Sequence, residues 1–332
     1  MSRAKETATS KRVSIPERDI SVAILYPGTR VDKMQVPLEA TEMDVEVEPA
    51  DAYDFDIVLL DNADRDMIWP VLRRPISHAK IIYRMRGDLY RELELWDMHP
   101  LKKWLATNVV VANVDGAICA NEILAEKIRR VSGVRSAGVA GLAKRVDDYP
   151  RVQHRGTSLR IITLTNAEYL RKIRPLIEYA PVVEDYLSVI GGRWHIYGEG
   201  RHAGLLADGL REFDHVDFRG HTERPKAALA DSNLMLHLSN LDALPNSMLE
   251  GMASNLPVIT NDFEAFEVYN GPIHRIGNET QLLDALRKAQ APPWREDRGC
   301  RGREFVRQYH TPEAVGQQYV DFFREVLGGG RP

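Results

Sequence analysis

Asp242 and Glu250, eight positions apart in SNLDALPNSMLEGMASNLPVITND, give the strongest chemical signal in the chain. The run before them, Asn233 to Ser239 (NLMLHLS), is short and apolar, as a buried strand would be. Asp242-Ala243-Leu244-Pro245-Asn246 reads as a turn, with Asn246 as the N-cap of a helix reaching about Ser254. Leu256 to Thr260 supplies the next buried strand. One carboxylate then sits in a loop at the carboxyl end of a strand, and the other in the first turns of the following helix. Open parallel sheets bind ligands at that end. A helix N-terminus suits an anion such as a diphosphate, and a carboxylate nearby accepts hydrogen bonds from sugar hydroxyls. The combination reads as a nucleotide-sugar site. A loop aspartate and a dipole-compensating glutamate on an ordinary helix would present the same two letters.

The segment from Ser232 to Thr260 resembles the donor-site signature of retaining GT-B glycosyltransferases of family four (glycosyl transferases group 1). That signature places two glutamates eight residues apart around a turn, followed by a small-residue helix and a Pro-Val-Ile strand. The likeness extends over roughly residues 20 to 325. The resemblance implies that Glu250 holds the ribose hydroxyls of the donor. It puts Asp242, one methylene shorter than the usual glutamate, beside the transferred sugar. The backbone of Leu244, Pro245, Asn246 and Ser247 would face the sugar and phosphates.

Lys172, in LTNAEYLRKIRPLIEYA, matches the family's lysine that neutralises the diphosphate. Thr165-Asn166 stands where the family has an arginine, a charge that Arg171 or Arg174 would replace. Negative charge builds on a departing diphosphate, and fixed cations stabilise it; a solvated helix face would carry the same three residues. Gly198, in Tyr197-Gly198-Glu199-Gly200, resembles the turn that lines the nucleotide, or is a plain tight turn. Arg219, in Phe218-Arg219-Gly220-His221, ends a strand where the family's backbone reads the base edge.

In the first half, Gly28 follows a strand, and its missing Cβ would let the backbone approach the diphosphate. Arg84-Met85-Arg86-Gly87-Asp88 resembles the acceptor-facing loop, so Arg86 and Asp88 would bind acceptor hydroxyls or phosphate, or pair with each other. Glu267 falls near the family's third acidic position. The expected reacting set is Asp242, Lys172 and Arg86. The expected nucleotide contacts are Glu250, Asn246, Ser247, Leu244, Pro245, Gly198, Gly28, Arg171 and Arg219. In the family's front-face mechanism the donor phosphate takes the acceptor proton, which agrees with the lack of a Ser/His/Asp set. The resemblance implies a UDP- or GDP-linked sugar as donor, a glycan or lipid-linked acceptor, and no metal. A sugar-nucleotide 2-epimerase shares this architecture, and a non-catalytic GT-B scaffold subunit would retain it.

The rest of the chain must position these groups. At 332 residues it suffices for two domains. With 44% hydrophobic and 28% charged residues it is globular. A net charge of −4 gives no basic field for nucleic acid. Cys119 and Cys300 form no CxxC pair, and the polar N-terminus lacks a signal-peptide core, so cytoplasmic residence is expected. There is no GxGxxG after a strand, no P-loop and no HExxH, so no dinucleotide cofactor and no zinc are expected. Asp54-Phe-Asp56 has the letters of a DxD metal motif but opens an apolar strand. Trp96 to Trp104 mixes aromatics with two lysines on a helical pattern. That composition suits contact with anionic lipid at the membrane face, or core packing with solvated lysines.

Strand patterns fall at Ser21–Tyr26, Asp56–Asp61, Lys80–Arg84 and Asp115–Ala120, then at Leu159–Thr165, Trp194–Tyr197, Val216–Arg219, Asn233–Ser239 and Pro257–Thr260. Helical patterns run from about Tyr90 to Ala112, Asn121 to Val131, Tyr169 to Ile190, and from about Thr280 onward. Strands alternating with helices mean parallel sheets and right-handed crossovers. The expected fold is α/β: two Rossmann-like domains facing across a cleft, with a last helix crossing back. The boundaries read as a tail over 1–18, an acceptor domain over 19–150, a donor domain over 157–310, and the crossing helix within 311–332. The Gly- and polar-rich stretch from Gly138 to Gly156 is the expected linker.

Overall fold

A computed structural model describes residues 20–25, 32–41, 43–61, 68–73, 77–85, 87, 99–134, 136–242, 245–269 and 271–328. It contains two six-stranded sheets, each parallel throughout. The first comprises β1 (Ser21–Leu25), β2 (Asp44–Val47), β3 (Ile57–Leu60), β4 (Lys80–Met85), β5 (Gly116–Cys119) and β6 (Ser136–Val139). Its order is β2-β1-β3-β4-β5-β6. The second comprises β7 (Arg160–Asn166), β8 (Arg193–Glu199), β9 (Val216–Gly220), β10 (Leu234–His237), β11 (Val258–Asn261) and β12 (Ile273–Ile276). Its order is β12-β11-β10-β7-β8-β9, so the winding reverses between β7 and β10. In an open α/β sheet the crevice at such a reversal is where ligands bind.

The central strands IVLL, GAIC, LMLH and VITN are buried along their whole length, as a sheet covered by helices on both faces requires. β2 (DVEV), β6 (SAGV) and β12 (IHRI) carry no such run and were not legible as strands. All three lie at sheet edges, where one side of the strand is open to solvent. β6 corrects the expected start of the linker, because Gly138 belongs to the sheet. A Cβ on Gly138 would lie 2.4 Å from the Phe322 ring, and one on Gly116 in β5 2.9 Å from it. The two glycines make room for an aromatic side chain, not for a flexible joint. The expected helix from Tyr90 is described only from Pro100, whose missing N–H suits a first helical position. It runs to Leu105 and passes through a wide turn at Ala106–Val110.

The last helix (Pro312–Leu327, Thr311 as its cap) returns to the first sheet as expected. Val315, Tyr319, Phe322, Phe323 and Val326 bury against Val22, Ile24, Ile57, Leu59 and Ile82. Beneath it Arg84 donates to Asp61 at 2.8 Å, both almost fully buried. Ala120, just past the carboxyl end of β5, packs against the cluster holding Leu164, Tyr197 and Met248 of the second unit. The carboxyl ends of the two sheets therefore face one another. Among the described residues no helix is long and apolar enough to cross a membrane.

Candidate functional site

Three groups converge at the β7/β10 reversal. Asp242 follows β10 and Lys172 lies in the first turn of the helix Leu170–Ile190, 70 positions apart in sequence. Their side chains meet with Nζ 2.5 Å from Oδ1, and only about one sixth of each is exposed (17% and 16%). The Nε2 of His237, the last residue of β10, lies 3.5 Å from the other carboxylate oxygen. Burial alone would raise the Asp242 carboxyl. The Lys172 ammonium outweighs it, with His237 adding to the effect, and holds the group well below the usual carboxylate range.

The loop bearing Asp242 is braced by three hydrogen bonds. Asn240 N–H donates to the Arg171 carbonyl at 3.1 Å, Ser239 N–H to Asn261 Oδ1 at 2.8 Å, and Asn261 Nδ2 to Asn240 Oδ1 at 2.8 Å. The His237 ring stacks edge-on against buried Phe266 at 5.6 Å.

Glu250 lies one turn inside the helix Asn246–Ala253, whose start also faces the crevice. Its Oε1 accepts from Lys144 Nζ at 2.9 Å and from the Asn246 amide. Lys144 belongs to the connection between the sheets and is only 8% exposed. Asn246 corrects the expected N-cap: Pro245 occupies that position, and the Asn246 side chain is drawn to Lys144 and Glu250 instead. Ser247 is half-buried beside it, in the first turn. Tyr149 completes the cluster, with its hydroxyl 3.5 Å from Lys144 Nζ and its ring against Lys226. Burial, then the Glu250 charge, pushes the Tyr149 phenol far above its ordinary value.

The remaining expected residues fall in different places. Arg171 and Arg174 are exposed on the outer face of the Lys172 helix. Asn166, at the expected arginine position, closes a turn by accepting from the Glu168 N–H at 2.9 Å. Gly198 lies inside β8, where a Cβ would sit 2.4 Å from the Thr165 carbonyl oxygen, so contact with β7 accounts for the glycine. The positive φ of that turn belongs to Gly200, at +138°. Arg219 is half exposed and pairs with Asp217 on its own strand at 2.6 Å. Glu267 pairs with Arg275 at 3.4 Å on the surface. Asp56 of the DxD letters accepts from the Ser21 N–H and hydroxyl at 3.0 and 2.9 Å, at the amino end of the sheet, away from the crevice. Gly28, Arg86 and Leu244, with Asp88, lie outside the described residues.

Sequence reasoning missed Lys144, Tyr149 and His237. A lone histidine inside the apolar run NLMLHLS was a usable signal. Lys144 gave none, since Asn246 and Glu250, which draw it into the site, lie 102 and 106 positions away.

Comparison with known proteins agrees with this fold. The family model described as glycosyl transferases group 1 matches residues 159–290, the span of the second sheet. A viral protein (isolate Australia/Victoria) named "Putative glycosyltransferase ORF31" is 42% identical over 311 residues, covering 93% of this chain and 98% of the relative. A poly(ribitol-phosphate) alpha-N-acetylglucosaminyltransferase of Staphylococcus aureus is 24% identical over 163 residues; the match covers 46% of this chain and a third of that protein. Among solved structures, sucrose-phosphate synthase from Thermosynechococcus elongatus superposes with a TM-score of 0.72 at 13% identity, covering 94% of this chain and all of that one. Anabaena Alr3699/HepE in complex with UDP gives 0.70 at 10% identity, covering 92% and 99%. S. aureus TarM gives 0.64 at 17% identity, with 80% of this chain matching 55% of TarM.

Proposed function

The chain belongs to the GT-B glycosyltransferases, and we propose that it moves a sugar from a nucleoside-diphosphate sugar to an acceptor hydroxyl, with retention at the anomeric carbon and without a metal ion. The observation that carries this reading is the meeting of Lys172 and Asp242 at the β7/β10 reversal, with Glu250 in the adjoining helix. Lys172 opens one helix and Asn246 another, so two helix N-termini and an ammonium are available to a diphosphate. Asp242 takes one of the three ammonium donors. Asp242 then lies beside the sugar, and Glu250, eight residues on, reaches the ribose.

In the reaction the acceptor oxygen bonds to the anomeric carbon as the bond from that carbon to the diphosphate oxygen breaks. The electron pair leaves with the diphosphate, and the acceptor proton passes to a donor phosphate oxygen on the same face. Charge builds on the leaving group, where Lys172 and the helix ends are already oriented. HepE crystallised with UDP and UDP-glucose, and TarM with UDP, support uridine as the first donor base to test, ahead of guanosine. Trp69, Leu72, Leu101 and Trp104 are each more than half exposed on the first unit, which supports a lipid-linked or membrane-borne acceptor there. Co-sedimentation with anionic vesicles, lost in Trp69→Ser/Trp104→Ser, tests that part; undiminished sedimentation of the variant refutes it.

The reaction itself is tested by incubating the protein with UDP- and GDP-sugars and an acceptor panel, in EDTA, and assigning product stereochemistry by NMR. Acceptor-dependent nucleotide release with a retained anomeric configuration is expected. Inversion or EDTA sensitivity refutes the corresponding part. An epimer formed without acceptor identifies an epimerase, and donor binding without turnover across the panel identifies a scaffold.

A further inference from the structure

Lys144 is a buried cation that the expected site did not contain and the structure brings into it. It enters rigidly. The chain leaves β6 and passes between the end of the helix Pro292–Tyr309 and the start of the last helix. Gly141 N–H donates to Gln318 Oε1 at 2.9 Å, and a Cβ on Gly141 would sit 2.8 Å from the His310 ring. Lys144 N–H donates to the His310 carbonyl at 2.6 Å, and the His310 ring bonds the Leu142 carbonyl at 3.1 Å. With its backbone fixed, the lysine stem crosses to the second unit. Its ammonium meets Glu250 Oε1 at 2.9 Å, Asn246 Oδ1 at 2.5 Å and the Tyr149 hydroxyl at 3.5 Å. These three contacts use all three ammonium donors, so a phosphate would have to displace one of them.

We propose that Lys144 is a positioning residue of the donor site: it pins one oxygen of the Glu250 carboxylate and offsets its charge, so that the carboxylate presents its other edge to the ribose diol. The inference rests on the reading of Glu250 as the ribose residue. Without Lys144, a carboxylate with little exposure would face an incoming diphosphate unpaired, and its side chain would turn toward solvent. The Asn246 amide alone cannot offset that charge. Because Lys144 hangs from the junction of the last two helices, the ribose contact is set by the same joint that returns the chain to the first sheet.

The experiment measures binding of UDP and GDP, and of their 2′-deoxy forms, by titration calorimetry. The proteins are the parent, Lys144→Met, Lys144→Arg, Glu250→Gln and Lys144→Met/Glu250→Gln, each checked for folding by circular dichroism. Lys144→Met should weaken ribonucleotide binding by about ten- to a hundredfold and shrink the preference for ribose over 2′-deoxyribose; a lysine that only supports the fold would leave that preference intact. Lys144→Arg should restore part of both. In the double variant, binding should match Glu250→Gln alone, since Lys144 acts through the carboxylate. The double variant also leaves no lone buried charge, so it reports even if Lys144→Met fails to fold. A folded Lys144→Met with the parent's sugar preference overturns the inference. So does a further tenfold loss in the double variant relative to Glu250→Gln, which would mean that Lys144 touches the ligand. An unchanged Glu250→Gln, or no binding of either nucleotide to the parent, refutes the ribose reading itself.

Discussion

Lys172→Gln separates the two duties the structure gives this lysine. With the ammonium removed, the Asp242 carboxylate loses its ion-pair partner and keeps the His237 ring at 3.5 Å, in a place about one sixth exposed. Breaking a fully buried pair from one side costs about 3–5 kcal/mol. The residual exposure and His237 reduce that to roughly 2–3 kcal/mol, which for a unit of this size lowers Tm by about 4–12 °C. The pH dependence should change sign. In the parent, Lys172 holds the Asp242 carboxyl low, so the pair's stability is fully present above the ordinary carboxylate range and fades only in strong acid. In the variant burial dominates and raises the group, so the deficit is largest at neutral pH and shrinks on mild acidification as Asp242 takes up a proton. Differential scanning fluorimetry at pH 7.5 and 5 reads this. Loss of a fixed cation at the leaving group should also lower kcat by about 10²–10³. A Tm within a degree of the parent at both pH values would refute the buried pair. An undiminished kcat with a lowered Tm would reduce Lys172 to a structural partner.

Three further outcomes are expected. Glu250→Ala should weaken donor binding by roughly 2–4 kcal/mol through loss of a charged acceptor to two hydroxyls, and unchanged calorimetric affinity in the folded variant would exclude the ribose contact. Burial pushes His310 down to about 4, so its neutral form is favoured in the fold, and stability is fully present above about pH 6.5 and falls from there toward pH 4. That contribution amounts to up to about 3 kcal/mol, and a His310→Gln protein whose Tm declines as steeply over that window as the parent's would contradict it. Gly138→Ala should cost about 1–3 kcal/mol, because the new methyl enters the Phe322 ring; Phe322→Leu should recover part of it, and an unaffected denaturation midpoint would show that the last helix does not pack there.

How far the sequence reached depends on where each signal is stored. The central strands were legible because a strand covered on both faces must be continuously apolar, as IVLL and LMLH are. The cap Asn121 was legible because a cap acts within three residues, and it accepts from the N–H three positions on. Edge strands β2, β6 and β12 were not, since a half-open strand needs no apolar run and β6 gives its side-chain space to Phe322.

The same division holds at the crevice. Asp242 and Glu250 could be named from local pattern because strand-turn-helix units deliver residues to the carboxyl edge wherever they occur, and Lys172 from the resemblance of its segment. What local pattern cannot specify is which cation answers which carboxylate. Lys172 meets Asp242, Lys144 meets Glu250, and Asn246 serves that second pair instead of capping its helix. Those choices depend on strand order, on the reversal between β7 and β10, and on the way the connection is held against the last helices. They are made by residues seventy to more than a hundred positions apart in the chain. The chain by itself determined the kind of chemistry; the pairing of its charges was decided only when the two sheets and the joint between them came together.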